Sequence, residues 1–291
     1  VRIGGYLFLV LVAIGCVMLA GEWVAMCGYS ASDPGVFWMP AVLVSAAVCA
    51  GLGAAAVGLL LVSLGSLAAL FWVRLAPSRQ DAACFSPGGS APGGSGPGGS
   101  GPGGSGPGGA GTTAAIHAPA RQRRKRDLAF GLPYLGLAAV ALPWLRSDPA
   151  VGLGNTFFVL AIVWASDIGA YLVGRLAGGP KLAPAISPGK TWSGAAGGLI
   201  CGVLGGMAVA ACVSPEISVF HVIEPGIGLG IISQAGDLLE SAIKRHFGVK
   251  DSGRIIPGHG GLLDRLDALL AVAPVAALLA FTLGRGVVLW R

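Results

Sequence analysis

Apolar residues fill this chain in long blocks separated by a few short polar connections. Blocks near 3–28, 36–54, 55–73, 128–146, 153–175, 191–213, 222–240 and 266–286 are rich in Leu, Ala, Val and Gly. Each predicts a helix able to cross a hydrocarbon core of about 30 Å, which needs roughly 20 residues at about 1.5 Å per residue. Hydrocarbon offers backbone groups no water, so such blocks become helices packed through small side chains rather than strands. The expected fold is therefore an all-α polytopic integral membrane protein with about eight transmembrane helices. Seven to nine are compatible with the pattern, because 36–73 is one unbroken run split at Gly51-Leu52-Gly53, and Pro225 interrupts 222–240. The first block has only Arg2 in front of it, is too long for a cleaved leader and is followed by further spans, so it reads as retained.

Composition agrees with this frame. Of 291 residues, 54% are hydrophobic and only 11% charged, which excludes an ordinary soluble domain. The chain divides into helices at 1–74, a segment at 75–127 and a second helical region at 128–291. The middle segment contains the repeat "PGGSGPGGSGPGGSGPGG", which has no apolar side chain to bury and predicts a disordered cytoplasmic linker with a basic end. That end, "RQRRKR" at 121–126, reads as a topology anchor beside the next span; a lipid-headgroup or nucleic-acid patch is the alternative. With 74–127 cytoplasmic, alternation of eight spans puts 176–190 and 241–265 on the same side. All but Arg2, Arg146, Arg285 and Arg291 of the 19 Lys and Arg residues then lie on or beside the cytoplasmic face, as the positive-inside rule requires.

Cysteine and histidine add little. No two of the six Cys residues have CxxC spacing, and the four His residues form no HxxxH or HExxH pair, so neither a disulfide framework nor a zinc hydrolase is indicated. The informative chemistry lies in two polar connections, which the topology places on one face.

The first is "WASDIGAYLVGRLAGGPKLAPAISPGKTWSG", 164–194. A carboxylate at Asp167 inside an apolar helix is expensive, and should face a polar cavity, an ion or a cation such as Arg175 or a lysine. "SPGKT" at 187–191 resembles the end of a phosphate-binding P-loop, but that motif needs glycine where Pro184 stands and a preceding strand, so it is rejected. What remains is a Gly/Pro-shaped loop presenting Lys181, Ser187, Lys190 and Thr191 just before a helix, where free N–H groups and cations suit phosphate. A plain loop with two lysines is the alternative.

The second is "SQAGDLLESAIKRHFGVKDSGRIIPGHGGLLDRLD", 233–267. On helices, Asp237 with Glu240, Glu240 with Lys244, and Asp264 with Asp267 can each share a face. Gathered carboxylates suit a hard cation such as Mg²⁺, which often bridges to substrate phosphates. Lys244, Arg245, Lys250, Arg254 and Arg265 fit an anionic partner. "PGHGG" at 257–261 allows a tight turn and close backbone approach to a ligand; His259 reads equally as a ligand contact or a hydrogen-bonding strut.

These residues carry a resemblance. "SAIKRHFGVKDSGRIIPGHGGLLDRLD", with "GD" at 236–237, "SPGKTW" at 187–192, "SDIGAYLVGR" at 166–175 and, more weakly, "GEW" at 21–23, is similar to the signature of the phosphatidate cytidylyltransferases, or CDP-diacylglycerol synthases. The linker departs from that family. The resemblance implies a nucleotidyltransferase of phospholipid biosynthesis in which CTP and phosphatidic acid give CDP-diacylglycerol and pyrophosphate, with Mg²⁺ required and a second cation left open. It makes 128–291 the catalytic region. It assigns Asp237, Asp264 and Asp267, with Asp167, to the metal, and Lys244, Arg245, Lys250, Asp251, His259 and Arg265 to catalysis. Ser187, Lys190, Thr191, Ser241, Gly258, Gly260 and Gly261 fall to substrate binding. The implied partners are CTP, phosphatidic acid and the lipid bilayer, with no nucleic acid; a homodimer stays open. The setting is a bacterial inner membrane, with the site facing the cytoplasm. The rivals are a transporter of anionic solutes, a CDP-alcohol phosphatidyltransferase, whose Asp-Gly-x-x-Ala-Arg motif is absent, and an inactive scaffold.

Overall fold

The computed structural model describes the backbone of residues 2–29, 37–75, 110–253 and 260–291, and side chains within 4–29, 37–71, 126–253 and 260–291. Eight α-helices occur among the described residues: α1 (Arg2–Met26), α2 (Trp38–Gly51), α3 (Ala55–Leu75), α4 (Ala110–Arg146), α5 (Gly152–Ala177), α6 (Trp192–Val213), α7 (Ile223–His246) and α8 (Leu263–Leu283). They match the eight apolar blocks in order, and the chain is an integral membrane protein. Five are long and apolar enough to cross a bilayer: Gly4–Met26, Arg126–Arg146, Gly152–Ala177, Trp192–Val213 and Leu263–Leu283. α2 and the described apolar stretch of α3 are shorter, and α7 carries Glu224, Asp237 and Glu240 on its way to a basic last turn.

Two differences from the expected pattern stand out. Helix α4 begins at Ala110, so the expected linker is already helical over 110–127, and "RQRRKR" lies on that helix; the expectation for 76–109 falls outside the described residues. The connection between α5 and α6 is no plain loop. It is a two-stranded antiparallel hairpin of β1 (Lys181–Ala183) and β2 (Ser187–Thr191), paired Lys181 to Thr191 and Ala183 to Ser187. Gly178 and Gly179, at φ 60° and 103°, turn the chain out of α5 into it, a conformation that a side chain would strain.

Helices α1, α2 and α4 bury one apolar core around Trp23, Leu43, Leu132 and Leu135. Phe158, Ile162 and Val159 of α5 centre a second. α8 serves both: Leu263, Leu270 and Ala273 enter the first, and Ala268, Val272 and Ala276 the second. Large apolar side chains on the outer faces, such as Leu7 and Val10 of α1 or Trp164 and Ile168 of α5, meet lipid. Helices α5 and α6 pack through glycine. A Cβ on Gly194 would lie 2.8 Å from the carbonyl oxygen of Ala170, and one on Gly198 2.8 Å from that of Ser166. Without side chains at this four-residue repeat the two backbones touch, the usual device for holding helices together in lipid.

The C-terminal residues latch the face opposite the hairpin. Asn155 Nδ2 donates to the Val287 carbonyl at 3.2 Å, Leu289 N donates to Asn155 Oδ1 at 3.1 Å, and the Trp290 ring packs on Phe158 at 4.7 Å. Asp148, between α4 and α5, accepts from Gly286 N at 2.8 Å and from Ala150 N at 2.9 Å. Burial opposes ionisation of Asp148, but the backbone donors Gly286, Val151 and Ala150 and the Arg285 charge outweigh it and hold its carboxyl below the usual range. A depressed carboxyl contributes stability above its unfolded value of about 3.9 and loses it as pH falls through the folded value. The melting-temperature gap between wild type and Asp148→Asn in detergent should therefore shrink between about pH 6 and about pH 3. A gap that stays constant or widens would show that the latch does not depend on this charge.

Candidate active site

The two polar connections meet. Lys190 on β2 reaches Asp237 on α7, with Nζ 2.5 Å from Oδ2, and Arg245 Nε lies 3.4 Å from the Ile186 carbonyl oxygen of the hairpin. Gln234 Nε2 donates to the Ala195 carbonyl at 2.8 Å, which ties α7 to the first turn of α6. The hairpin is thereby fixed between α6 and α7.

Glycine next to aspartate sets the centre of the site. A Cβ on Gly236 would lie 2.5 Å from Ala271 Cβ and 3.3 Å from the Asp267 carbonyl oxygen, so α7 can approach α8 this closely only with glycine there. The contact turns the Asp237 carboxyl toward that of Asp267, and Asp167 of α5 completes an acidic group facing both. Lys190 is the cation in contact with this group. Asp267 Oδ1 also accepts from Ala268 N at 2.7 Å. Like charges held together disfavour joint ionisation unless a cation joins them. Arg175, an alternative partner for Asp167, instead donates to the Tyr171 hydroxyl at 2.7 Å.

Asp264 stands apart from that group. Its carboxylate accepts from Lys244 Nζ at 2.8 Å, Gly261 N at 2.8 Å, Ser252 N at 3.0 Å and Ser252 Oγ at 3.1 Å. Lys244 also lies 2.7 Å from Oε2 of the fully buried Glu240. Both groups are thus committed to one another and to the backbone, which leaves Asp264 few lone pairs for an ion and Lys244 little charge for a phosphate. Thr191 is committed as well: its buried Oγ1 caps α6 by accepting from Gly194 N at 3.1 Å. Arg245, Lys250, Asp251 and Arg265 are exposed around the rim, whereas Ser187 and Ser241 are half-buried. Gly258 and His259 fall outside the described residues.

Sequence reasoning left Glu22 out of the site. This α1 carboxylate, 2% exposed, accepts from Leu262 N and Leu263 N at 2.7 Å each and from Ser252 Oγ at 3.1 Å. It caps the N-terminus of α8 from another helix, satisfying N–H groups that no helix can satisfy itself. The close approach expected of "PGHGG" is real but serves this carboxylate, since a Cβ on Gly261 would lie 2.8 Å from Glu22 Oε1. Gly260 adopts the left-handed φ of 85° that the turn requires. Trp23 beside it donates from Nε1 to the Asp127 carbonyl at 3.0 Å and packs against Tyr134 and Phe247. The available signal was "GEW", a carboxylate inside an apolar span.

A family model described as "Cytidylyltransferase family" matches residues 1–283, nearly the whole chain. The chain belongs to the cytidylyltransferase family. Among curated relatives, a protein of Brucella suis biovar 1 named phosphatidate cytidylyltransferase is 52% identical over 145 residues, 50% of this chain and 53% of its own length. One of the same name from Staphylococcus saprophyticus subsp. saprophyticus is 43% identical over 153 residues, 53% of this chain and 59% of its own length. The chain spans about half the length of the curated relatives it matches.

Glu22→Ala should cost about 2–4 kcal/mol of stability, because it leaves two buried N–H groups without their acceptor. Glu22→Gln, which keeps one oxygen, should lose less. Thermal unfolding in detergent checks both, and an unshifted melt for Glu22→Ala would mean that the α8 terminus finds another acceptor.

Proposed function

We propose that this chain is a phosphatidate cytidylyltransferase, joining CTP and phosphatidic acid to give CDP-diacylglycerol and pyrophosphate. The observation that carries the reading is the acidic group of Asp167, Asp237 and Asp267 beside Lys190, in a chain of the cytidylyltransferase family. The orientation follows the charge bias, with the site facing the cytoplasm of a bacterial inner membrane.

Among the described residues, no three carboxylate, imidazole or thiol groups stand close enough together to ligate one ion. A bound Mg²⁺ would therefore take at most two of these carboxylates at once and complete its octahedron with water and substrate phosphate. Asp237 and Asp267, with Asp167 alongside, would hold it, and their excess of negative charge over Lys190 is what a divalent cation relieves. When bound, the ion would supply Lewis-acid charge stabilisation to phosphate oxygens.

The chain's own residues bind and orient. The lipid phosphate is already an anionic nucleophile, so no serine or cysteine is required. One of its oxygens forms a bond to the α-phosphorus of CTP while the bond from that phosphorus to the bridging oxygen of the β-phosphate breaks, and pyrophosphate leaves with the electron pair. In-line placement and neutralisation of charge are the contributions the site can make. Lys190, Arg245, Lys250 and Arg265 would hold phosphate oxygens. Lys244, held between Glu240 and Asp264, acts as a positioning residue that keeps the C-terminal turns of α7 against the start of α8.

Purified protein should convert labelled CTP and phosphatidic acid to CDP-lipid in a reaction that needs a divalent cation. Asp267→Asn should lower kcat by at least about 100-fold, as expected for loss of a group that organises phosphate charge. Asp264→Asn should act mainly through stability. Full activity of Asp267→Asn would overturn the assignment of the acidic group, and no CDP-lipid from wild type would overturn the function.

A further inference from the structure

Between α1, α4, α5 and α8 lies a cavity of about 180 Å³ that the chemistry above does not use. On α1 its wall is formed by Phe8, Leu11, Val12, Gly15, Cys16 and Leu19, one continuous face at helical spacing. From Phe8 to Leu19 that face rises about 16 Å, so the cavity is long and narrow. Its ends are defined by the helices that flank it. Leu19 is within one turn of Glu22, and Leu266 precedes Asp267 on α8, so one end lies at the turns of α1 and α8 that carry Glu22 and Asp267. At the other end are Leu142, late in α4, and Thr156, in the first turns of α5.

The wall offers nothing polar along its length. The hydroxyl of Thr156 is spent on the Gly152 carbonyl oxygen at 2.7 Å. Leu11 both lines the cavity and is exposed on the outer face of α1, so the space opens toward lipid. Near the head end the situation reverses. Tyr134 precedes the lining residue Leu135, and its buried hydroxyl has no hydrogen-bond partner among the described residues, within electrostatic reach of Glu240 and Asp267. An apolar cavity of roughly 150 Å³ stays dry and accepts an apolar guest. A narrow apolar channel with one polar end at a phosphate-handling site has the shape and polarity of a lipid tail below its headgroup.

We propose that this cavity holds one acyl chain of the lipid substrate, placing the lipid phosphate at the acidic group. The inference rests on the proposed function, and it assigns the chain of the substrate, rather than an unrelated bilayer lipid, as occupant. The cavity thereby selects for chain length: a tail that reaches past Gly15 gains contacts that a short tail lacks.

Gly15 supplies the test, because a Cβ there meets no atom within 4 Å and a larger side chain can grow into the space. In the full-length protein, Gly15→Phe should lower the ratio of kcat/KM for dioleoyl- over dihexanoyl-phosphatidic acid at least tenfold, without a fall in melting temperature. An unchanged ratio with an intact melt would overturn the proposal. In a second arm, phosphatidic acid bearing a terminal diazirine on one chain is photolysed with wild type and the labelled residues are mapped. Labelling of Val12, Cys16 and Leu160 that Gly15→Phe suppresses supports the proposal. Labelling confined to the outward-facing Leu7, Val10 and Val17, or equal labelling by a diazirine phosphatidylcholine, overturns it. If wild type forms no CDP-lipid from either substrate, the function fails, while the labelling still decides whether the cavity takes a phosphatidic acid chain.

Discussion

The structure turns on one buried carboxylate. Glu22 lies within a helix whose neighbours are almost all apolar, and it is tolerated there because three donors close around it: two N–H groups from the first turn of α8 and the Ser252 hydroxyl. A buried charge without such partners is costly, and a helix N-terminus without an acceptor is costly too. Each requirement is met by the other. The result locks the end of α1 to the start of α8, and α8 is the helix that both apolar cores share. Asp264 and Asp267 sit in its first two turns, so the same contact sets where the acidic chemistry lies.

Charge balance then separates the carboxylates that hold the protein together from those open to a ligand. Asp264 takes donors from Lys244 and from the Ser252 and Gly261 backbone, with the Ser252 hydroxyl placed equally between it and Glu22, and Lys244 bridges onward to Glu240. That arrangement engages Asp264 with donors on several sides. Asp167, Asp237 and Asp267 share Lys190, and among the described residues fewer donors surround them than surround Asp264. The incomplete group is the one that gains most from a cation and phosphate, and it lies where the hairpin, α5, α7 and α8 converge. Sequence pattern alone groups Asp264 with Asp267 because they share a helix face; the backbone donors that distinguish them come from residues 252 and 261, which no helical periodicity brings near.

Much of this was legible in the residues. The eight helices follow from hydrophobic blocks of bilayer length, and the convergence of the two polar connections follows from counting spans between them. Asp167 and Asp237 were conspicuous because charge is rare in such a chain. The hairpin was not legible: Lys181–Ala183 and Ser187–Thr191 are too short and too rich in Gly and Pro for a strand pattern, and pairing across the turn rather than propensity forms them. Nor was the reach of α4 back to Ala110, since Gly, Thr, Ala and Arg around 110–126 carry no apolar stripe. Thr191 was read as a phosphate contact because it stands in a loop just before a helix, and in the structure its hydroxyl caps α6, the role for which a threonine at that position is suited.

The antiparallel meeting of α1 and α8 also explains why a polar centre and an apolar channel can lie side by side. At Glu22 the two helices are joined by charge and hydrogen bonds; one turn away, Leu19 and Leu266 have only apolar surface to offer. The helices cannot close fully there. Gly15 leaves open space on the α1 face, and the small Ala138 and Ala139 line the α4 side. Larger residues at these positions would fill the gap and add packing, so the opening reflects the choice of small side chains rather than any constraint of the backbone. Under the proposed function, that opening would let a lipid tail stay in an apolar environment while its headgroup crosses into the polar one.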